Sequence, residues 1–220
     1  MKPFAIAGMQ LELSAVTENV TLMGQRLDVL MSVYPWVQMV VFSELAPVGP
    51  LIANAQPVPN ATEETFKGWA KKHGIWLIPG SMFERFGDLT YNTAPVINPD
   101  GEIVGRYRKM FPFKPYEEGV ESGTEFLVFD VPDAGRFGLS ICYDLWFPET
   151  ARTLAALGAE VILHPTLTGT IDRDVELAIV RATAAQNQCF VFGINGFGDC
   201  GNGRASSLLR LSDSFLQNRH

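Results

Sequence analysis

Cys142, Glu44 and Lys109 are the residues whose types and positions could do chemistry together. Cys142 lies in GLSICYDLWFPE (138–149), where an apolar run stops and a helix opened by Pro148 begins. A thiol there reads in two ways. It is a small core hydrophobe, or it is a nucleophile at the carboxyl end of a strand, where open α/β sheets place their chemistry. The helix start would supply N–H groups and a positive dipole end that favour a thiolate. Tyr143, Asp144 and Trp146 beside it suit a pocket wall. A thiol nucleophile also needs a base and a group that stabilises the charged intermediate. Glu44, in VVFSELAP (40–47), ends another apolar run, although taken alone it reads as a solvated loop acid. Lys109 closes IVGRYRK (103–109), and taken alone it is a surface lysine beside Arg106 and Arg108. Their common placement at strand ends is what would make one site of them.

Other chemistries fit less well. The histidines are His73, His164 and His220, and no Cys or His pairs fall at zinc-ligand spacing. GLSIC (138–142) resembles the G-x-S-x-G elbow of serine hydrolases, but Cys142 replaces the final glycine that the sharp turn needs. GFGDCG (196–201) matches G-x-G-x-x-G after a strand. The chain ends before the helix, second strand and acidic residue that a dinucleotide site also requires, so a glycine-rich turn is expected. A Cys-His hydrolase with His164 as base is a further alternative, against which a purely structural His164 is weighed.

The elements that must position these groups follow from periodicity. FAIAGMQLEL (4–13) reads as a buried strand, and Val16, Val20, Met23, Leu27 and Leu30 mark one face of a helix. WVQMVVF (36–42) is a nearly all-apolar strand, as expected when both faces are covered. A helix is expected over 62–73, capped by Thr62 and stopped by Gly74, with acids in its first turn and lysines in its last. Strands are expected at 75–83, 92–98, 103–109, 125–131 and 136–142, with NPDG (98–101) as a turn. Pro148 opens a helix closed by Gly158, EVILHPT (160–166) is a strand, and Asp172 caps a helix with an apolar face of Val175, Ala178, Ile179 and Ala182. CFVFGIN (189–195) is the last strand. The alternation suggests layered sheets flanked by helices in one domain.

Composition agrees with one α/β domain: 220 residues, 47% hydrophobic, net charge −7. No basic stripe exists to offset nucleic-acid phosphates, no apolar run is long enough to span a membrane, and residues 1–14 lack a signal peptide's apolar core. Three cysteines, Cys142, Cys189 and Cys200, are an odd and sparse set that suits a reducing cytosol. A soluble, cytoplasmic protein is the expectation.

Three ordered segments carry a resemblance: FSELAPVG (42–49), GRYRKMFPF (105–113) and GLSICYDLWFPE (138–149). Over about residues 3–204 the chain resembles the nitrilase superfamily of carbon–nitrogen hydrolases. The resemblance implies an α-β-β-α sandwich that dimerises through its helical layers, with Glu44 as general base, Lys109 as electrostatic partner and Cys142 as nucleophile. Glu117, in KPYEEGVESGTEF (114–126), matches the second glutamate that follows the family's lysine. The implied reaction is hydrolysis of a small amide or N-carbamoyl compound through a Cys thioester, with nitrile hydrolysis a weaker variant, and with no metal or organic cofactor. An inactive homologue or fragment that binds small molecules or subunits is the alternative. Tyr116, Tyr143, Trp146 and Thr166 are the expected substrate-binding residues. After GNGRASS (201–207) the family pattern would continue with further strands, whereas LLRLSDSFLQNRH follows here. The expected organisation is a hydrolase domain over 1–204 and an atypical short tail over 205–220, and the last strands of the sandwich would then be missing.

Overall fold

The computed structural model describes residues 3–169 and 172–197. Cys200, the last four residues of GFGDCG and the tail 205–220 lie outside the described residues. Among the described residues, ten strands form two sheets. The first holds β1 (Ile6–Met9), β2 (Met39–Phe42), β3 (Trp76–Ile78), β4 (Met82–Phe86), β5 (Leu89–Ile97) and β6 (Ile103–Arg108). Strands β1, β2 and β3 are parallel, and β5 runs antiparallel to β3, β4 and β6. The second sheet has the order β10 (Phe190–Asn195), β9 (Val161–Thr166), β8 (Gly135–Leu139), β7 (Leu127–Val131), parallel except for the β7–β8 pair. Helices α1 (Val20–Val33) and α2 (Ala61–His73) cover the first sheet, and α3 (Pro148–Ala156) and α4 (Asp172–Asn187) the second. This is the α-β-β-α sandwich expected from the sequence.

The two-residue period of a strand explains the layering. In β2, Val40 and Phe42 pack with Met23, Leu27 and Phe66 of the helices, whereas Met39 and Val41 face the inter-sheet core. All four are buried, so the run is apolar throughout instead of alternating. Across the inter-sheet core, Phe137 meets Phe4, and Phe129 stacks on Trp76 at 5.7 Å, while Phe137 and Phe129 are neighbours within the second sheet.

Several boundaries differ from those read in the sequence. Asn60, not Thr62, caps α2: its extended backbone lets Oδ1 turn back to accept from Glu63 N at 2.9 Å, and Gly74 ends the helix in the left-handed conformation as expected. The run 75–83 is broken at Gly80, which has φ +84°. A Cβ there would fall on the Ser43 carbonyl oxygen, so only glycine admits this close approach behind Glu44. Val16 lies outside α1 and is 75% exposed. The face of α4 is also corrected. Arg173, Glu176, Val180 and Thr183 are buried, while Val175 and Ala178 are exposed. The inward side carries charges that satisfy one another, which an apolar period cannot register. Among the described residues, no helix is long and apolar enough to cross a membrane.

Candidate active site

Glu44, Lys109 and Cys142 each follow a core strand, and the sandwich brings these ends together. Glu44 lies two residues beyond β2, Lys109 one beyond β6 and Cys142 three beyond β8. Glu44 N donates to Thr166 O at 3.3 Å, which ties the end of the first sheet to the end of the second. Glu44, Lys109 and Glu117 are all buried. Lysine and glutamate are almost never buried unless paired, and here they are paired. Lys109 Nζ donates to Glu44 Oε1 at 2.8 Å and to Glu117 Oε2 at 2.6 Å. Asn92 completes the ring, donating from Nδ2 to Glu44 Oε1 and to Glu117 Oε1, both at 2.9 Å. Phe113 N donates to Glu117 Oε2 at 2.6 Å, so the loop after β6 folds back over its own lysine.

Cys142 opens a short 3-10 turn, Cys142–Trp146, with φ +46°, an uncommon backbone state for a residue with a side chain. The expected helix start comes six residues later, at Pro148. The thiol is therefore not held as a thiolate by a helix dipole. Burial, reinforced by the negative Glu44 and opposed by Lys109, pushes its pKa well above the ordinary cysteine value. Burial also raises Glu44, with Lys109 pulling against it and Glu117 adding to it, and the Cys142 thiol contributes a hydrogen bond. For Lys109, burial disfavours the charge, but Glu44, Cys142 and Glu117 outweigh it and hold the ammonium above the usual lysine range. The resting arrangement is a thiol beside a carboxyl of raised basicity and a fixed cation. Such a set can move a proton and stabilise an oxyanion.

The expected substrate contacts are dispersed. Tyr143 is half-buried and packs on Phe113, Trp146 and Phe147, while Tyr116 is 66% exposed and stacks on Phe113 at 5.5 Å. Trp146 also borders a groove between α3 and α4 that holds Arg152, Ile179 and Gln186. Thr166 is fully buried, and its hydroxyl donates to Asn195 Oδ1 at 3.1 Å. Asn195 also grips the backbone of Thr168 from both sides, at 2.8 and 2.9 Å, and sets the Thr168 hydroxyl 3.7 Å from Cys142 Sγ. His164 makes its contacts with Ser140, at 2.9 Å, and Glu176, at 3.7 Å, so the geometry for a histidine base is not the one found. Among the described residues, no group of three or more His, Cys, Asp or Glu is placed to hold a metal ion.

Asn92, Thr168 and Asn195 were not singled out in the sequence. The signal for Asn92 was an amide at the head of the strand segment 92–97, which ends in an apolar run; the position is buried and must be hydrogen-bonded. Thr168 and Asn195 follow or end strands of different elements, and nothing local links them.

Comparisons with known proteins bear on this arrangement. A sequence model described as carbon-nitrogen hydrolase matches residues 5–214. The chain is 41% identical over 114 residues to a nitrilase of Pyrococcus abyssi, covering 50% of this chain and 42% of that one. It is 39% identical over 126 residues to the N-carbamoylputrescine amidase of Solanum lycopersicum, covering 54% and 41%. Against the 2-oxoglutaramate amidase of Bacillus subtilis it is 31% identical over 163 residues, covering 71% and 62%. The chain spans about half the length of the curated relatives it matches. Its fold is similar to the crystal structure of an amidase from Nesterenkonia sp., with a TM-score of 0.78 at 24% identity over 88% of this chain and 76% of that one.

Proposed function

The chain belongs to the carbon-nitrogen hydrolase family, and from that premise we propose that it hydrolyses a non-peptide carbon–nitrogen bond in a small amide or N-carbamoyl compound, with Cys142 as nucleophile. The observation that carries this reading is the buried Glu44–Lys109–Glu117 cluster, held at hydrogen-bond distance and in electrostatic contact with Cys142. The similar amidases act, by their names, on a carbamoyl amine and on an oxo-acid amide, which favours small linear substrates.

Because the thiol is protonated at rest, attack and proton removal are coupled. Cys142 Sγ bonds to the carbonyl carbon as its proton passes to Glu44. The carbonyl oxygen becomes an oxyanion that faces Lys109 and, in this reading, the Tyr143 N–H. Glu44 returns the proton to the leaving nitrogen, the carbon–nitrogen bond breaks, and a thioester remains on Cys142. Water then attacks the thioester while Glu44 takes its proton. The C–S bond breaks, the acid leaves and the proton passes to sulfur. Glu117 and Asn92 keep Lys109 and Glu44 in register. Tyr116, Tyr143, Trp146 and Thr166 are the proposed substrate-side residues, with Thr166 acting through its grip on Asn195. The hydrolase domain is taken as residues 1–204, and residues 205–220 as a short tail. A homo-oligomer packed through the helical layers is part of this reading.

Ammonia release should be measured across a panel of linear amides and ureido acids, with Cys142→Ala and Glu44→Gln as controls. The expected result is turnover of at least one compound by the parent, none by either variant, and an acyl adduct on Cys142 by mass spectrometry. No turnover across the panel and no adduct would favour a non-catalytic binding role instead.

A further inference from the structure

Asp144 lies two residues after Cys142, is fully buried, and accepts from both segments that present the reacting groups. On its Oδ2 side, Ile141 N donates at 2.9 Å and the Tyr107 hydroxyl at 2.7 Å. On its Oδ1 side, Met110 N donates at 3.0 Å and Phe111 N at 2.9 Å. Tyr107, Met110 and Phe111 flank Lys109, and Ile141 and Asp144 flank Cys142. Building on the amidohydrolase reading above, we propose that Asp144 is a positioning residue that fixes the Cys142 turn against the segment carrying Lys109.

The chemistry of the carboxylate is what makes this more than packing. A carboxylate is acceptor-only, with lone pairs enough on two oxygens for all four donors. Hydrogen bonds to a charged acceptor are roughly twice as strong as neutral ones, which suits a group that must hold a turn with a positive φ. Two sheets meet here, since Tyr107 belongs to β6 of the first and Ile141 follows β8 of the second. A single carboxylate therefore spans the joint between the sheets at the level of the thiol. Asparagine has nearly the same shape but only one acceptor oxygen. Its amide N–H groups would face either Met110 N–H and Phe111 N–H or the Ile141 N–H, so one side of the joint must be released.

The test compares Asp144→Asn and Tyr107→Phe with the parent, using two readouts. The first is steady-state kinetics on the best substrate of the parent. Displacing a reacting group by about 1 Å costs on the order of 100-fold, so Asp144→Asn should lower kcat by roughly that factor and leave KM within about threefold. Tyr107→Phe removes one donor and keeps the carboxylate, so its loss should be smaller. The second readout needs no substrate: the pH profile of Cys142 alkylation by iodoacetamide. Burial and Glu44 hold the thiol pKa up more strongly than Lys109 pulls it down, so a Cys142 that has moved out of this cluster should alkylate with its profile shifted to lower pH. Should Asp144→Asn fail to fold, the alkylation profile of Tyr107→Phe decides. A shifted profile supports the positioning role even if the parent hydrolyses nothing in the panel, which would count against the reaction alone. Folded variants with the parent's alkylation profile and kcat, and only a lower melting temperature, would overturn the proposal.

Discussion

Glu44 and Glu117 share one ammonium, and that arrangement sets how the centre responds to pH. Each carboxylate lies within 2.8 Å of Lys109 Nζ, in a buried environment where like charges repel strongly. Burial raises Glu44 first, Lys109 lowers it, and Glu117 raises it again. A base must be ionised to accept the thiol proton, so activity should fall as pH drops through the pKa of Glu44, which burial holds above the ordinary glutamate value of 4.5. Glu117→Gln removes a negative neighbour and keeps the shape. The acid limb of kcat/KM is then expected to move to lower pH, with kcat reduced by up to about 100-fold as Lys109 loses one anchor and its position slackens. A pH–rate series on both proteins checks the direction. A limb that stays in place would show that Glu117 exerts no field on Glu44. Asn92 illustrates what sequence reading overlooks at this scale, because its role exists only where β5 passes between two acids.

Helix α4 shows how an element is held by charge where its pattern suggests apolar packing. Glu176 is 1% exposed and pairs with Arg173 at 2.8 Å within the helix and with His164 of β9 at 3.7 Å. Burial disfavours its charge, but His164 and Arg173 outweigh this and hold the carboxyl at about 2, against 4.5 ordinarily. A carboxyl with a depressed folded pKa stabilises the protein above its unfolded value. That contribution is complete above pH ~4.5 and is lost as pH falls toward ~2, and a shift of this size corresponds to about 3 kcal/mol. Glu176→Gln should therefore be less stable than the parent by about 3 kcal/mol near pH 6. The gap should narrow steadily at lower pH. Urea unfolding of both proteins from pH 7 to 3 measures it, and a gap independent of pH would mean that the charge is not what docks the helix.

For the whole molecule, the inter-sheet core is the common support of every part of the site. Phe137 is 1% exposed and meets Phe4 of the first sheet's side with ring centroids 5.8 Å apart, so it belongs to the contact between the two sheets. Truncating such a ring leaves a cavity that neighbouring elements fill only in part, at a cost of about 3–5 kcal/mol. Phe137→Ala should lower the urea midpoint without changing the slope, and circular dichroism and tryptophan fluorescence should report one coincident transition. Separate transitions by the two probes would show that the sheets unfold independently and that the site is not held by a single core.

The sequence by itself determined most strands and helices and marked three candidate reacting positions at strand ends. The strands ending at Phe42, Arg108 and Leu139 each stop just before a chemically capable residue, and strand period and turn residues are local properties that a linear reading detects. It also carried the layered sandwich, because runs such as Met39–Phe42 are apolar on both faces only when both faces are covered. Tertiary structure alone decided which polar groups support the centre. Asn92, Asp144, Thr168 and Asn195 are ordinary polar residues until strands far apart in the chain meet, and a hydrogen bond depends on position in space rather than on sequence spacing. The same holds for the protonation of Cys142. Its neighbours in the chain suggested a helix start that favours thiolate, whereas burial and the distant Glu44 outweigh Lys109 and keep the proton on sulfur. Electrostatic free energy in a buried site is set by every charge within a few ångströms, and those charges come from segments that only the fold brings together.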